Sequence, residues 1–168
     1  LNLVTHLMYQ DPLTRSMNRR GLFERADRLR ALAERNGSKL AVAIFDIDFF
    51  KQINDSCGHE AGDQVLRAIG GGLKAQLREY DVLCRWGGEE FVALFLVDSP
   101  EAAPGVAERL RASVSNREVG ATLSGGVVIW RDAEALPTAI SRADRLMYEA
   151  KHEGRNRLKA DCGLLVSG

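Results

Sequence analysis

The sequence predicts an α/β (α+β) fold, in which a central and mostly antiparallel sheet is flanked by helices, and three observations predict it. The hydrophobic period changes along the chain: stretches with apolar residues three and four apart, as on one helix face, alternate with short continuous apolar runs that suit strands. Through the middle of the chain these read as strand, helix, hairpin, helix, strand, the order of ferredoxin-like sheets with helices packed on one face. The third observation is size: 168 residues, 45% hydrophobic and 27% charged, can bury one substantial core without disulfides or structural metals.

Each element has its own signal. Leu3, Leu7 and Gln10 space like the end of a helix, which Asp11-Pro12 stops because a residue before proline avoids the helical region. Residues 1–10 are thus expected to end a longer N-terminal linker helix, with 11–160 the domain proper and 161–168 a C-terminal tail. Leu22, Ala26, Leu29 and Ala33 mark a helix over 19–35, ended by Asn36-Gly37. The run 40–45 suits a strand buried on both faces and leads into Asp46-Ile47-Asp48. After an irregular stretch, Val65, Leu66, Ile69, Leu73 and Leu77 predict a helix over 61–78.

Strands at 82–85 and 91–97, joined through Gly87-Gly88, read as a hairpin whose turn uses glycine's freedom at positive φ. A helix at 100–114, a strand at 121–130, a helix at 136–152 and a last strand at 156–159 complete the pattern.

Charge and cysteine usage bound the chemistry. A formal net charge of zero argues against general nucleic-acid binding, which usually brings a basic excess. Cys57, Cys84 and Cys162 form no CxxC or Cys/His cluster and are expected to be reduced thiols, the first two buried or half-buried. No apolar run nears the roughly 20 residues needed to span a bilayer, and the N-terminal segment lacks a signal peptide's basic end. The domain is therefore expected to be cytoplasmic, without direct membrane insertion.

Topology places the candidate residues. A right-handed crossover makes the hairpin's first strand parallel to the strand ending at Asp46, so the Gly-Gly turn arrives at the same edge. The helix after the fourth strand ends there too, carrying Lys151 and Arg155, which lie four apart as on one helix face. Asp46, Asp48, Glu89 and Glu90 would then converge, and clustered carboxylates suit a hard cation such as magnesium. Each feature also has a plain structural reading: acids cap helices and fill turns, and cations complement a helix C-terminus. Asn54 and Asp63 offer an amide and a carboxylate that could match a guanine edge, or they could simply shape a turn. His59 reads as structural, Trp86 as packing at the hairpin neck, and Arg78 to Asp81 as a helix end with a solvated ion pair.

Taken together, the motifs resemble a known family. Gly87-Gly88-Glu89-Glu90-Phe91 looks like the signature of the GGDEF family of diguanylate cyclases in its GGEEF form, and Phe45 to Asp55 resembles that family's metal-binding segment. Gly58 to Asp63, Ala143-Asp144 through Lys151 and Gly154-Arg155-Asn156 are similar as well, in the right order across roughly Asp11 to Lys159. One stretch departs from the pattern: Arg15-Ser16 stands where the family's DxLTGLxNR opening has Gly-Leu.

The resemblance implies a nucleotidyl-cyclase palm that condenses two GTP into cyclic di-GMP and two pyrophosphates. By it, Asp46, the Ile47 backbone carbonyl and Glu89 would bind Mg2+, two per active site with Mn2+ as a substitute, and Glu89, Glu90 and Asp46 would serve catalysis. Asn54 and Asp63 would read guanine; Lys51, Lys151, Arg155, Gly87 and Gly88 would meet the phosphates. Arg78 and Asp81 resemble an RxxD inhibitory product site. A homodimer and a missing N-terminal sensor or regulatory domain are implied too. The competing expectation is a catalytically silent module that senses GTP or cyclic di-GMP.

Overall fold

The structure is a computed structural model and describes residues 3–161. Cys162 and the rest of the expected tail after Asp161 lie outside the described residues, as do the first two residues of the expected linker helix. The elements run α1 (Leu3–Tyr9), α2 (Arg19–Asn36), β1 (Lys39–Ile47), α3 (Phe50–Cys57), α4 (His59–Gln76), β2 (Val82–Arg85), β3 (Glu90–Val97), α5 (Ala103–Val114), β4 (Leu123–Ile129), α6 (Leu136–His152) and β5 (Leu158–Ala160). A single 3-10 turn, Pro100–Ala102, precedes α5.

The strands form one sheet in the order β2-β3-β1-β4-β5, with β1 antiparallel to both neighbours and only the short β5 pairing in parallel, with β4. β1 is central, and eight of its nine residues are buried. Its alternate residues feed two cores. Ala41, Ala43, Phe45 and Ile47 pack with Leu66, Ile69 and Leu73 of α4 and Leu110 of α5. Val42 and Ile44 face the other way, onto Leu22 and Leu29 of α2 and Ile140 and Met147 of α6. Helices therefore cover both faces, unlike the one-sided ferredoxin-like arrangement the element order suggested. The continuous apolar run in β1 already carried that information, because a strand with one wet face alternates.

The irregular stretch expected after β1 is instead the helix α3, and α4 begins earlier than predicted. α3 escapes the period test because it spans only two turns and has no buried residue, so its apolar Phe50, Ile53 and Cys57 are too few to mark a helix. Beside β1, Gly126 lets α6 lie directly on β4, since a Cβ there would collide with the Ala143 carbonyl. That close approach brings the end of α6 to the sheet edge where β1 ends.

Candidate functional site at the end of the central strand

Register brings the acids together. Asp46 pairs with Glu90 across β1 and β3, and the Ile47 N–H donates to the Glu89 carbonyl at 3.2 Å. The hairpin turn closes through Trp86 N–H to the Glu90 carbonyl at 2.8 Å. Neither glycine of the turn has positive φ, contrary to expectation. A Cβ on Gly87 would meet the tip of the Glu90 carboxylate, which would have to turn aside, whereas a Cβ on Gly88 would meet nothing. The backbone at Gly88 is thus open to close approach.

Asp46, Lys51, Asn54, Asp63, Gly88, Glu89 and Glu90 line one open cleft of about 560 Å³, together with His59 and Arg85. Lys51 and Asn54 reach it on successive turns of α3, and Asp63 from the first turns of α4. Gly62 makes room for the amide, since a Cβ there would collide with Asn54 Oδ1. His59, read as structural, is exposed at the rim.

The acidic end of the cleft is charge-frustrated. Asp46 is 5% exposed, and Lys151 Nζ lies 2.8 Å from its Oδ1. The contact is an ion pair without hydrogen-bond alignment, so the buried Oδ1 has no hydrogen-bond donor. Burial pushes the Asp46 carboxyl above the ordinary aspartate range despite Lys151, so desolvation outweighs the pairing. Glu89 and Glu90 are also raised, first by partial burial and then by the Asp46 charge.

These groups fit a hard divalent cation: the donors are oxygens, one buried carboxylate oxygen lacks a donor, and an ammonium already supplies positive charge there. No three His, Cys, Asp or Glu side chains among the described residues stand in a ready-made metal cluster. A bound ion would thus need oxygens beyond these side chains and would compete with Lys151 for Asp46.

Three expectations need correction. Asp48 does not face the cleft; it is 3% exposed and accepts from Thr122 Oγ1 and Ser124 Oγ, both at 2.6 Å, and from the Asn156 N–H at 3.0 Å. It joins β1 to β4 and to the turn after α6. Arg155 is not on the helix face of Lys151, because α6 stops at His152 and Arg155 takes a left-handed φ of 64° beyond it. Its guanidinium stacks 4.6 Å from the centre of the exposed Phe49 ring, beside the start of α3. Cys57 is exposed, while Cys84 is buried and its thiol is pushed up to about 12 by desolvation.

Arg78 to Asp81 is likewise no helix-end ion pair. α4 ends at Gln76, and the segment is a turn closed by Arg78 N–H to Asp81 Oδ2 at 2.9 Å and Asp81 N–H to the Arg78 carbonyl at 3.0 Å. The exposed Arg78 guanidinium donates to Tyr80 Oη at 2.8 Å, which raises its pKa. Burial raises the Asp81 carboxyl in turn, against the hydrogen bonds it accepts from the Arg78 and Leu96 N–H groups.

Arg85 is a residue that motif reasoning passed over. Its guanidinium donates to the Gly88 carbonyl at 2.7 and 3.1 Å and pairs with Asp11 at 3.3 Å. The Asp11 to Asn18 stretch therefore props the Gly-Gly turn, and an arginine ending the strand just before that turn was the available signal. Trp86 packs as expected, with Arg19 over its ring at 3.9 Å.

Known proteins resemble the chain along most of its length. The family model described as "Diguanylate cyclase, GGDEF domain" matches residues 8–157. The chain is 42% identical over 156 residues to the diguanylate cyclase DgcP of Pseudomonas aeruginosa, covering 89% of this chain and 23% of that protein. Among solved structures, the coiled coil and GGDEF domain of DgcB from Caulobacter crescentus in complex with c-di-GMP superposes with a TM-score of 0.83 at 31% identity, covering 94% of this chain and 88% of that one. SiaD from Pseudomonas aeruginosa, solved with its activator SiaC, gives 0.82 at 38%, covering 94% and 64%. The chain spans about a quarter to a little over a third of the length of the curated relatives it matches.

Proposed function

The chain belongs to the GGDEF family, and from that premise we propose that it is a diguanylate cyclase domain, joining two GTP into cyclic di-GMP with release of two pyrophosphates. The observation that carries the reading is the single cleft in which Asp46, Glu89 and Glu90 meet Lys51, Asn54 and Asp63. Acids at one end suit the metal and the reacting phosphate; an amide and a carboxylate at the other suit the hydrogen-bonding edge of guanine.

In each half of the reaction a ribose 3'-oxygen bonds to the α-phosphorus of the other nucleotide, the bond to the β-phosphate oxygen breaks, and the hydroxyl proton leaves to a base. Asp46, the Ile47 carbonyl and Glu89 would hold magnesium, or manganese in its place, and two such ions would lower the pKa of the attacking hydroxyl and offset charge on the transferred phosphate. Glu89 and Glu90, with raised pKa values, are the chain's own groups suited to accept a proton. Lys51, Lys151 and Arg155 neutralise the triphosphate, and the bare backbone of Gly87 and Gly88 admits it. Asp63 accepts from guanine N1–H and its amino group, with Asn54 on the remaining edge.

This cleft takes one GTP, so the product forms between two copies facing each other. Arg78 and Asp81 serve as a product site that restrains the enzyme, and a sensor or regulatory segment joined to α1 sets its activity in the cytoplasm.

The test is nucleotide analysis after incubation with GTP and magnesium alone. Cyclic di-GMP and pyrophosphate in a one-to-two ratio support the reading. Bound GTP without turnover by a correctly folded chain would make it a silent sensing module instead.

A further inference from the structure

We propose that Arg15 is an additional phosphate-binding side chain of the product site, acting from the same cavity as Arg78. The inference rests on reading Arg78 and Asp81 as a cyclic di-GMP site and extends that site to the turn before α2.

Arg15 and Arg78 line the same cavity of about 490 Å³, set between the turn before α2, α2 itself and the chain after α4. Five Lys and Arg side chains but only three acids line this cavity, which leaves an excess of two positive charges. Of the acids, Glu24 is engaged with Arg28 at 3.8 Å, and Asp81 accepts from backbone N–H groups. Among the described residues Arg15 makes no ion pair, and its guanidinium donates no hydrogen bond. The cavity is therefore charged for a dianion, and part of its wall, with Leu83 and Met17, is apolar. A molecule with two phosphodiesters and flat purines matches both features.

The backbone at Arg15 points the same way. Its φ of 63° lies in the left-handed region, which disfavours any residue with a Cβ and suits glycine. The turn is held from several sides: Arg15 N–H donates to the Asp11 carbonyl at 2.9 Å, Asp11 N–H to the Ser16 carbonyl at 2.7 Å, and Gln10 Nε2 to the Arg15 carbonyl at 2.9 Å. None of these bonds uses the arginine side chain, so glycine would make them all with less strain. An arginine in a strained position, lining the same cavity as Arg78 and without an ion pair or side-chain hydrogen bond among the described residues, is accounted for by a ligand. Its planar guanidinium can take a phosphate through two parallel hydrogen bonds.

The experiment is calorimetric titration of the purified chain, freed of nucleotide, with synthetic cyclic di-GMP, alongside thermal unfolding of each variant. Arg15→Asn keeps a residue that tolerates the left-handed backbone and removes the guanidinium. It is expected to weaken binding about tenfold, the scale of one lost charge-assisted contact, without lowering the unfolding midpoint. Arg15→Lys, which keeps the charge but loses the fork, should fall between parent and Arg15→Asn. Parent-like affinity in Arg15→Asn, with binding abolished in Arg78→Ala, would overturn the role of Arg15 and leave the Arg78 site standing. Parent-like affinity in Arg78→Ala would remove the site, and the role of Arg15 with it.

Discussion

Lys151, at the end of α6, stands 2.8 Å from Oδ1 of Asp46, at the end of β1, and this is the one ion pair among the described residues that links α6 to the acidic edge of the sheet. The aspartate is almost wholly buried and the lysine three-quarters so. Burial disfavours the ionised aspartate more than the lysine favours it, so activity and stability respond differently to substitutions at this edge.

Glu89→Gln should lower cyclic di-GMP formation by on the order of 10²- to 10³-fold, the scale of deleting one charge-stabilising group from a reaction centre, while the fold stays intact. Asp46→Asn should lose activity to at least the same degree, while stability without magnesium holds or rises, because burial disfavours the ionised carboxylate more than Lys151 favours it. Product formation under saturating GTP and magnesium, read beside thermal unfolding, checks both. Parent-like turnover in either variant would remove it from the metal set.

The raised carboxyls predict a pH dependence. Glu89 and Glu90 hold their protons more tightly in the folded chain than in the unfolded one, so the native state binds more protons and stability falls as pH rises. The loss begins near the ordinary glutamate pKa, about 4.3, and is complete once pH passes the raised folded values. Without magnesium, Glu89→Gln should thus unfold at a higher temperature than the parent at neutral pH, and the gap should close below about pH 4. A gap independent of pH would sever the effect from ionisation.

Asp63→Ser should relax the base preference and admit ATP. A pocket that hydrogen-bonds a substrate's N–H groups rejects analogues lacking them by up to about 10⁴- to 10⁵-fold, and serine cannot accept from two donors as a carboxylate does. Competition between GTP and ATP for turnover measures this; unchanged selectivity would place the purine contact elsewhere.

Asp48→Ala should destabilise the chain by about 2–4 kcal/mol. It deletes a buried carboxylate that holds Thr122, Ser124 and the Asn156 N–H, and each unmet buried partner costs about 1–3 kcal/mol. Denaturant titration reads the loss. Asp48→Asn, which keeps an acceptor, should recover part of it, and a neutral Asp48→Ala would contradict the network.

Most of the fold was legible because its main elements repeat an apolar period or run continuously through a core. The helix α3 was not, since two turns without a buried residue give a repeat too short to read, and its position decides where Lys51 and Asn54 lie. Asp46 and Asp48 show the same divide within one motif. Two residues apart and identical in type, they differ because Thr122 and Ser124 of the neighbouring segment satisfy Asp48, while Asp46 is left to an ion pair with Lys151.

Residue order alone determined which chemistry was available: acids around a Gly-Gly turn, an amide and a carboxylate nine residues apart in sequence, and cations near the end of the last long helix. These follow from local propensity and from the rule that a right-handed crossover returns a parallel strand to the same edge. The three-dimensional packing decided which of those groups remain free to act, because hydrogen-bond satisfaction and desolvation depend on neighbours far away in the chain. It turned Asp48 inward, placed Arg155 past its helix in a left-handed turn, and set Arg85 under the Gly88 carbonyl through a pairing with Asp11.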